Sequence, residues 1–494
     1  MFLTSLNEAK IDLSQYLSYK RNEQITNFIP TNIKKPNTLL LLSSALELIS
    51  SNFVDRFSDQ TFRLFLAAGV HPEFETIAEA NLFNTVFGRD MLIQIKFLRR
   101  AIELIKNHQN HKLDQKTTEL IQSLNSQIPV DAIKFLSIYQ GRKTNLDSEE
   151  VSGKILHEFR YNDDRIAIEL AAARQWKWPY FGSIDATCEY VSLLTDLIRE
   201  DNNVAAVKIK NYFDNRDYTL LECLDMAVNC MLKWQASDGL IYYTRQNPLG
   251  IEIQSWRDSF DSISTKVTGL LPSFELPIAL YDLQITALQA MENYQKLPAN
   301  LRSINLDKNQ TQLKQAIKII LWLPEQCYFA QAYQSQNNGQ KILFDALSSS
   351  NLSQIDIPLL RELHPSKINL DKYVDTILKN LDSDYGLMTL SPESNRYHPC
   401  GYHTGNIWMF DTMLASLNLL DLGYIEQSRL LAYKTINVIN QTHLYPELVG
   451  KYGHNEVIID ILDTSDNTLN RIVQPGQPLQ GWSVMAYVVA LLID

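Results

Sequence analysis

Apolar residues recur along this chain mainly at helical spacing. Over residues 88–106, Leu92, Ile95, Leu98, Ile102 and Leu104 fall near one stripe with charged residues between them. Similar patterns run through about 40–52, 114–125, 184–200, 219–235, 274–295, 309–321, 370–381, 407–421, 425–440 and 482–493. Strand-like alternation is brief, around 155–160 and 240–244. No βαβ alternation appears, and no Gly-rich phosphate loop follows a strand. Many helices with no fixed-period repeat predict an all-α chain folded as an α-helical toroid, with short strands in its loops. Four long inter-helical segments, 153–182, 237–272, 384–407 and 443–482, carry most of the Trp, Pro, Gly and His residues. Loops of that length are usually functional or disordered, and their Tyr, Trp and Phe content argues against disorder. They read as the walls of a site. No basic or Pro-rich linker divides the chain, which predicts one large domain over 56–494 after a polar, Asn/Lys-rich helical extension over 1–55.

Composition narrows the partners. Hydrophobic residues are 45% of the 494 and charged residues 20%, a globular balance with ample core material. Lys plus Arg is 45 against 56 for Asp plus Glu, a net charge of −11. Nucleic acid and anionic membranes call for basic patches, so neither is an expected partner. The five cysteines are odd in number and contain no CxxC pair, which points away from a disulfide framework or zinc site and toward a reducing compartment. The first residues lack the basic and apolar regions of a secretory signal. The longest apolar run, 39–46, is interrupted by Ser43 and Ser44, far short of the roughly 20 apolar residues that span a bilayer. A cytoplasmic location is the expectation.

Chemistry concentrates at a few places. Phe87-Gly88-Arg89-Asp90 sits where a loop enters a helix. Arg89 and Asp90 there offer a donor fork and an acceptor to vicinal hydroxyls, although Asp90 also suits the positive end of a helix dipole. His157, Glu158 and Arg160 crowd a short extended piece, lining a polar cleft or forming a solvated edge. No His pair spaced four apart on a helix suggests zinc. Residues 176–185 gather four aromatics, Tyr180 among them, before a helix that Ser183 or Asp185 would cap. Packing and ligand stacking both fit those rings. Ser255-Trp256-Arg257-Asp258-Ser259-Phe260-Asp261-Ser262 sets Asp258 and Asp261 beside Trp256 and Arg257. Residues 397–411 bring His403 and Trp408, and Gln480-Gly481-Trp482 opens the last helix. Cys400 and His403 lack the pattern of a nucleophile with an oriented base. Asp258 and Glu447, on separate loops near aromatic rings, are what glycosidic hydrolysis asks for. One carboxyl protonates the leaving oxygen, the other activates water, and flat rings hold the sugar.

Taken in order, these segments resemble the amylo-α-1,6-glucosidase, or glycogen-debranching, family of glycoside hydrolases, relatives of glucoamylases and trehalases. The matching stretches are 87–90, 153–160, 180–187, 255–262, 385–391, 402–408, 445–448 and 478–482, spread over roughly residues 60–494. The resemblance implies an (α/α)6 toroid whose loops at one end form a sugar pocket, with a carbohydrate substrate and no metal or organic cofactor. It implies Asp258 as general acid and Glu447 as general base of an inverting, exo-acting α-glucosidase, with a carboxyl separation of about 6.5–9.5 Å. Asp261 stands as the other candidate for the acid. The resemblance also implies that Arg89 and Asp90 grip the terminal sugar. His157, Glu158, Tyr180, Asp185, Trp256, Arg257, Asp261, His403, Trp408, Gln480 and Trp482 fall where pocket residues are expected.

The chain also departs from that family. It has no room for a transferase region or a β-sandwich before the toroid. Residues 443–475 diverge, and Gln254-Ser255 stands where Gln-Gly is expected before the Trp. Two other readings therefore stand beside the debranching one: a related glycosidase acting on trehalose, sucrose or a small glucoside, and a glycan-binding toroid without catalysis.

Overall fold

The computed structural model describes residues 42–70, 83–107, 113–451, 456–463 and 468–493. Its helices are α1 (Leu42–Ile49), α2 (Gly88–Asn107), α3 (Gln115–Ile138), α4 (Arg165–Arg174), α5 (Asp185–Glu200), α6 (Leu220–Trp234) and α7 (Tyr281–Gln295). They continue with α8 (Asp307–Ala316), α9 (Ser350–Ser353), α10 (Ile357–Leu363), α11 (Lys367–Leu381), α12 (Met409–Leu422), α13 (Ile425–Thr442) and α14 (Gly481–Ile493). Among the described residues no helix is long and apolar enough to cross a membrane.

Helix neighbours close a ring. α2 packs on α5, α5 on α7, α9 on α12, α12 on α14, and α14 back on α2. The remaining gap, between α7 and the α9 region, is bridged by Gln289, whose Nε2 donates to the Ile355 carbonyl at 2.8 Å. An outer layer of α1, α3, α6, α8, α11 and α13 backs these inner helices, each outer helix preceding its inner partner in the chain. The fold is an (α/α)6 toroid.

Sequence separates the two layers. The inner helices α12 and α14 meet protein on nearly every side and are apolar almost all round, whereas inner α2 and α5 keep a charged face. Every residue of α14 but Leu491 is buried, whereas α8 buries only Leu313 and Ala316. The starts differ too. The outer helices α3, α6 and α11 carry side-chain caps: Asp114 accepts from the Thr117 N–H, Thr219 and Glu222 form a reciprocal box, and Ser366 accepts from Asn369. Inner helices α5, α7 and α12 follow Ile184, Leu280 and Trp408, which supply no side-chain cap. Instead α2, α5, α7 and α12 each place an acid in the first turn: Asp90, Asp185, Asp282 and Asp411. These acids sit where the helix dipoles favour negative charge.

Several expectations need adjustment. Helix 114–125 runs on to Ile138 through Pro129, and the helix expected from 274 starts at Tyr281. Segment 155–160 makes isolated bridges, Phe87 to Glu158 and Glu158 to Tyr180, rather than a strand, and 240–244 likewise bridges through Ile241 and Tyr243. The loop expected over 153–182 contains α4, whose short Ala-rich turn sits inside an aromatic-rich stretch. An antiparallel hairpin, Glu456–Asp463 with Thr468–Pro475, occupies part of 443–482. Most of the helical extension expected over 1–55 lies outside the described residues. Within it, α1 packs on α3 and α14, and Ser50–Val54 pairs with Thr61–Phe65.

Candidate active site

The start of α2 is fixed by a close backbone crossing. The Gly88 N–H donates to the His157 carbonyl at 2.8 Å, and a Cβ on Gly88 would lie 2.2 Å from the Leu156 carbonyl oxygen. Only glycine allows that approach, and it delivers Arg89 and Asp90 to the inner end of the ring. Arg89 is 5% exposed. Its Nε meets Asp90 at 3.2 Å, its Nη1 donates to the Ser255 carbonyl at 2.9 Å, and its Nη2 stands 3.6 Å from Asp258. One guanidinium thus ties the helix to the loop that carries the expected acid.

That loop is irregular throughout 251–264. The Ser259 N–H donates to His403 Nδ1 at 3.3 Å, and its hydroxyl lies 2.9 Å from the same nitrogen. Glu447 arrives by strand pairing: Trp408 lies opposite Leu448 in the two-residue ladder of Ile407–Trp408 with Leu448–Val449. The Tyr402 hydroxyl donates to Glu447 Oε1 at 2.6 Å, and the Gln477 N–H donates to Oε2 at 3.1 Å. Asp258 keeps 25% of its side chain open to solvent, while Glu447 is 5% exposed. The first stands at the edge of the site and the second deeper in it.

Electrostatics show that these groups share one enclosure. Burial raises Glu447 to about 7 against the hydrogen bonds from Tyr402 and Gln477, and the charges of Asp90 and Asp258 push it the same way. Asp258 is raised to about 6: surrounding protein withdraws water even from a partly open carboxyl, Arg89 opposes the rise, and Asp185 adds to it. Asp90 is also raised to about 6, chiefly by burial against the pull of Arg89. Burial raises Asp185, with Arg89 and Ser183 opposing. Arg89 loses hydration on burial, yet Asp90, Asp185 and Asp258 more than compensate and hold its charge firmly. Three carboxyls therefore share one guanidinium, and Glu447 lies near two of them.

Aromatic rings surround the cluster. His403 stacks on Trp408 at 4.9 Å, and Trp256 meets both edge-on at 5.6 and 5.9 Å. Trp482 stacks on Phe410 at 4.2 Å and turns its edge to Trp408. Because His403 Nδ1 accepts the Ser259 N–H, its ring proton belongs on Nε2. Burial, with Arg257 and Arg89 nearby, keeps the ring neutral. His403 Nε2, Trp256 Nε1 and Trp482 Nε1 are buried without a hydrogen-bond partner among the described residues. Donors in that position suit the oxygens of a polar ligand. Trp408 spends its own N–H on the Tyr402 carbonyl at 2.9 Å.

The other expected residues are placed as follows. His157 is buried and neutral, chiefly through burial and with the Arg89 charge near it, its ring edge-on to Phe87 and Tyr180. Glu158 turns to Arg160. Tyr180 stacks on Trp176 at 3.8 Å and accepts from the Ile251 N–H, inside a satellite apolar cluster. Asp261 is half-buried farther along the Asp258 loop. Gln480 is buried where its N–H reaches the Tyr445 carbonyl at 2.9 Å. Arg257 is fully buried and directed toward Asp282 on α7, at 3.7 Å. Tyr402, Ser259, Gln477 and Phe410 join the site without having been singled out in the sequence. Tyr402, beside His403 in a Gly-bounded aromatic run, carried a signal that could have found it.

No family model matches the chain, and no curated protein matches it. Solved structures do resemble it. The GH63 mannosylglycerate hydrolase from Thermus thermophilus, in complex with Tris and D-glycerate, superposes with a TM-score of 0.54 at 11% identity, covering 92% of this chain and 99% of that one. The same enzyme with glucose gives 0.54 and 11% over 91% and 99%. A glycosidase in complex with glucose gives 0.51 and 11% over 92% and 95%. At such identity the likeness is one of fold, and the (α/α)6 toroid is common to all of them.

Proposed function

We propose that the chain is an exo-acting, inverting glycoside hydrolase that cleaves α-glucosidic bonds, in the first instance the α-1,6 bond of a branched or linear glucan. The observation that supports this reading is the contact of Arg89 with both Asp90 and Asp258 at one end of the toroid, with Glu447, from a loop far away in sequence, near enough to feel the charges of Asp90 and Asp258. In this reading Arg89 and Asp90 hold hydroxyls of the terminal sugar, and the Trp256, Trp408 and Trp482 rings enclose it. Asp258 gives its proton to the glycosidic oxygen as the bond to the anomeric carbon breaks. Glu447 takes a proton from water, whose oxygen bonds to that carbon from the opposite face.

In the free protein Glu447 holds its proton more tightly than Asp258, about 7 against about 6. A bound sugar sets the working order, because it covers the open quarter of Asp258 and raises it further. A bell-shaped dependence of kcat/KM with its maximum between pH 6 and 7 follows.

A second reading, a glycosidase of a small substrate such as trehalose, sucrose or a simple glucoside, draws on one finding. A hydrolase named for mannosylglycerate is matched over 99% of its chain and 92% of this one. Product analysis over isomalto-oligosaccharides, branched glucan, trehalose, sucrose and nitrophenyl glucosides separates the two. Glucose from the α-1,6 glucans supports the first reading, and release from the small glycosides alone selects the second. Binding without release from any of them removes both.

A further inference from the structure

Arg257 follows Trp256 and precedes Asp258; its guanidinium carbon lies 5.8 Å from the Trp256 ring centroid, behind the site rather than toward Asp258. It is wholly buried and reaches toward buried Asp282 in the first turn of α7, while Asp411, fully buried in the first turn of α12, is near enough to feel its charge. Arg257 Nη2 stands 3.7 Å from Asp282 Oδ1, too long for a hydrogen bond and close enough for strong attraction. Asp411 feels both the Arg257 and the Asp282 charge, and Ser349 and Ser353 lie beside it. All three guanidinium nitrogens of Arg257 and both oxygens of Asp282 lack a hydrogen-bond partner among the described residues. Buried charges are not stable bare, and groups spaced slightly beyond direct contact are the usual hosts of internal water.

We propose that Arg257, Asp282 and Asp411 form a water-bridged charge network that positions the Asp258 loop on the inner ends of α7 and α12. Arg257 is then a positioning residue rather than a grip on substrate. The loop has two further ties, Arg89 to the Ser255 carbonyl at 2.9 Å and Ser259 to His403, and the Ser262 hydroxyl closes on the Arg257 carbonyl at 2.6 Å. Asp258 itself has the Arg89 contact at 3.6 Å. Its aim therefore depends on how firmly its neighbours hold the backbone. A guanidinium reaches two acids on different helices through a planar fork, which an ammonium does not reproduce.

Because the network serves the acid assigned to Asp258, its catalytic consequence rests on the proposed function, but its structural consequence does not. Hydrogen exchange measured on the free protein reads the second. Arg257→Met raises exchange of the 255–262 amides about tenfold or more while the outer helices α3 and α13 are unchanged. Asp411→Asn, a milder change that leaves Arg257 with Asp282, gives a smaller rise in the same segment. Unchanged 255–262 exchange in both variants would overturn the network. A high-resolution crystal structure of the parent, independent of any variant's folding, is expected to show ordered waters joining Arg257 to both acids; direct contact or a dry gap would overturn the water bridge. Kinetically, Arg257→Met lowers kcat on the order of a hundredfold with KM nearly unchanged, and Arg257→Lys recovers part of it. A fall in melting temperature with kcat intact would mean a structural role alone. A normal exchange response in a protein that cleaves no glycoside would remove the proposed function and leave the network standing.

Discussion

Glu447 offers its oxygens to two donors on different segments, and both donors favour its ion, yet burial prevails and carries it from 4.5 to about 7. A carboxyl whose pKa is higher folded than unfolded binds its proton more tightly in the native state. Its contribution to stability is complete below about pH 4.5 and is lost as pH rises through about 7. At 1.36 kcal/mol per tenfold in proton affinity, the ionised form costs about 3 kcal/mol at pH 8. Asp90, Asp258 and Asp411, each raised to about 6, act in the same direction. Glu447→Gln should therefore melt higher than the parent at pH 8, by about 2 kcal/mol of stability after losing one good hydrogen bond, and near the parent at pH 4.5. Calorimetry at the two pH values tests this, and a lower melting point at pH 8 would refute it. The same residues divide the chemistry. An Asp258→Asn variant should lose on the order of a thousandfold or more on ordinary glycosides but keep much of its rate on a glucosyl fluoride, whose leaving group needs no proton. Glu447→Gln should be inactive on both, so equal behaviour of the two variants would exchange or dissolve the assigned roles.

Helix starts decide where those residues meet. Gly88 is required by the Leu156 carbonyl, 2.2 Å from where a Cβ would stand, and the two residues after it are Arg89 and Asp90. Gly88→Ala should cost about 2–3 kcal/mol by overpacking and reduce kcat/KM beyond what unfolding explains, because the helix start must shift. Gly423→Ala is the contrast. That C-terminal residue of α12 has φ of 92° with nothing near its Cβ, so the change should cost about 1 kcal/mol and leave kinetics alone. Urea titration with parallel kinetics distinguishes them. The helices themselves were legible in the sequence because most of them, inner α2 and α5 included, carry an apolar stripe, while α12 and α14 are apolar almost all round. The acids Asp282 and Asp411 were not, since an acid in a first turn also satisfies a helix dipole. Arg257 was expected in the pocket because the resemblance places it where pocket residues fall. An irregular loop has no period from which to read that successive side chains diverge. Trp256, Asp258 and Glu447 stood out because the order of motifs around them resembled a known family, not because their spacing alone implied a site.

The whole molecule is a ring closed by α14 against α2 and α12, so no hairpin has an independent core. Three of the seven tryptophans, at 256, 408 and 482, lie at its centre and the other four outside it, so their emission samples both, while the far-ultraviolet signal reports the helices. Tryptophan fluorescence and far-ultraviolet circular dichroism should follow one urea transition, and a centre that loosens first would contradict a single cooperative unit. Leu419→Ala, fully buried on α12, should lower that transition by about 2–5 kcal/mol. The ring also explains the position of the site, because the inner helices turn their first-turn acids toward the loops at one end. The roles proposed for Asp258 and Glu447 in those loops are read most directly from the product. Proton NMR of the first minutes of hydrolysis of an α-1,6-linked glucose oligosaccharide should show β-glucose appearing before mutarotation. The appearance of α-glucose first, or of no glucose at all, would contradict the account.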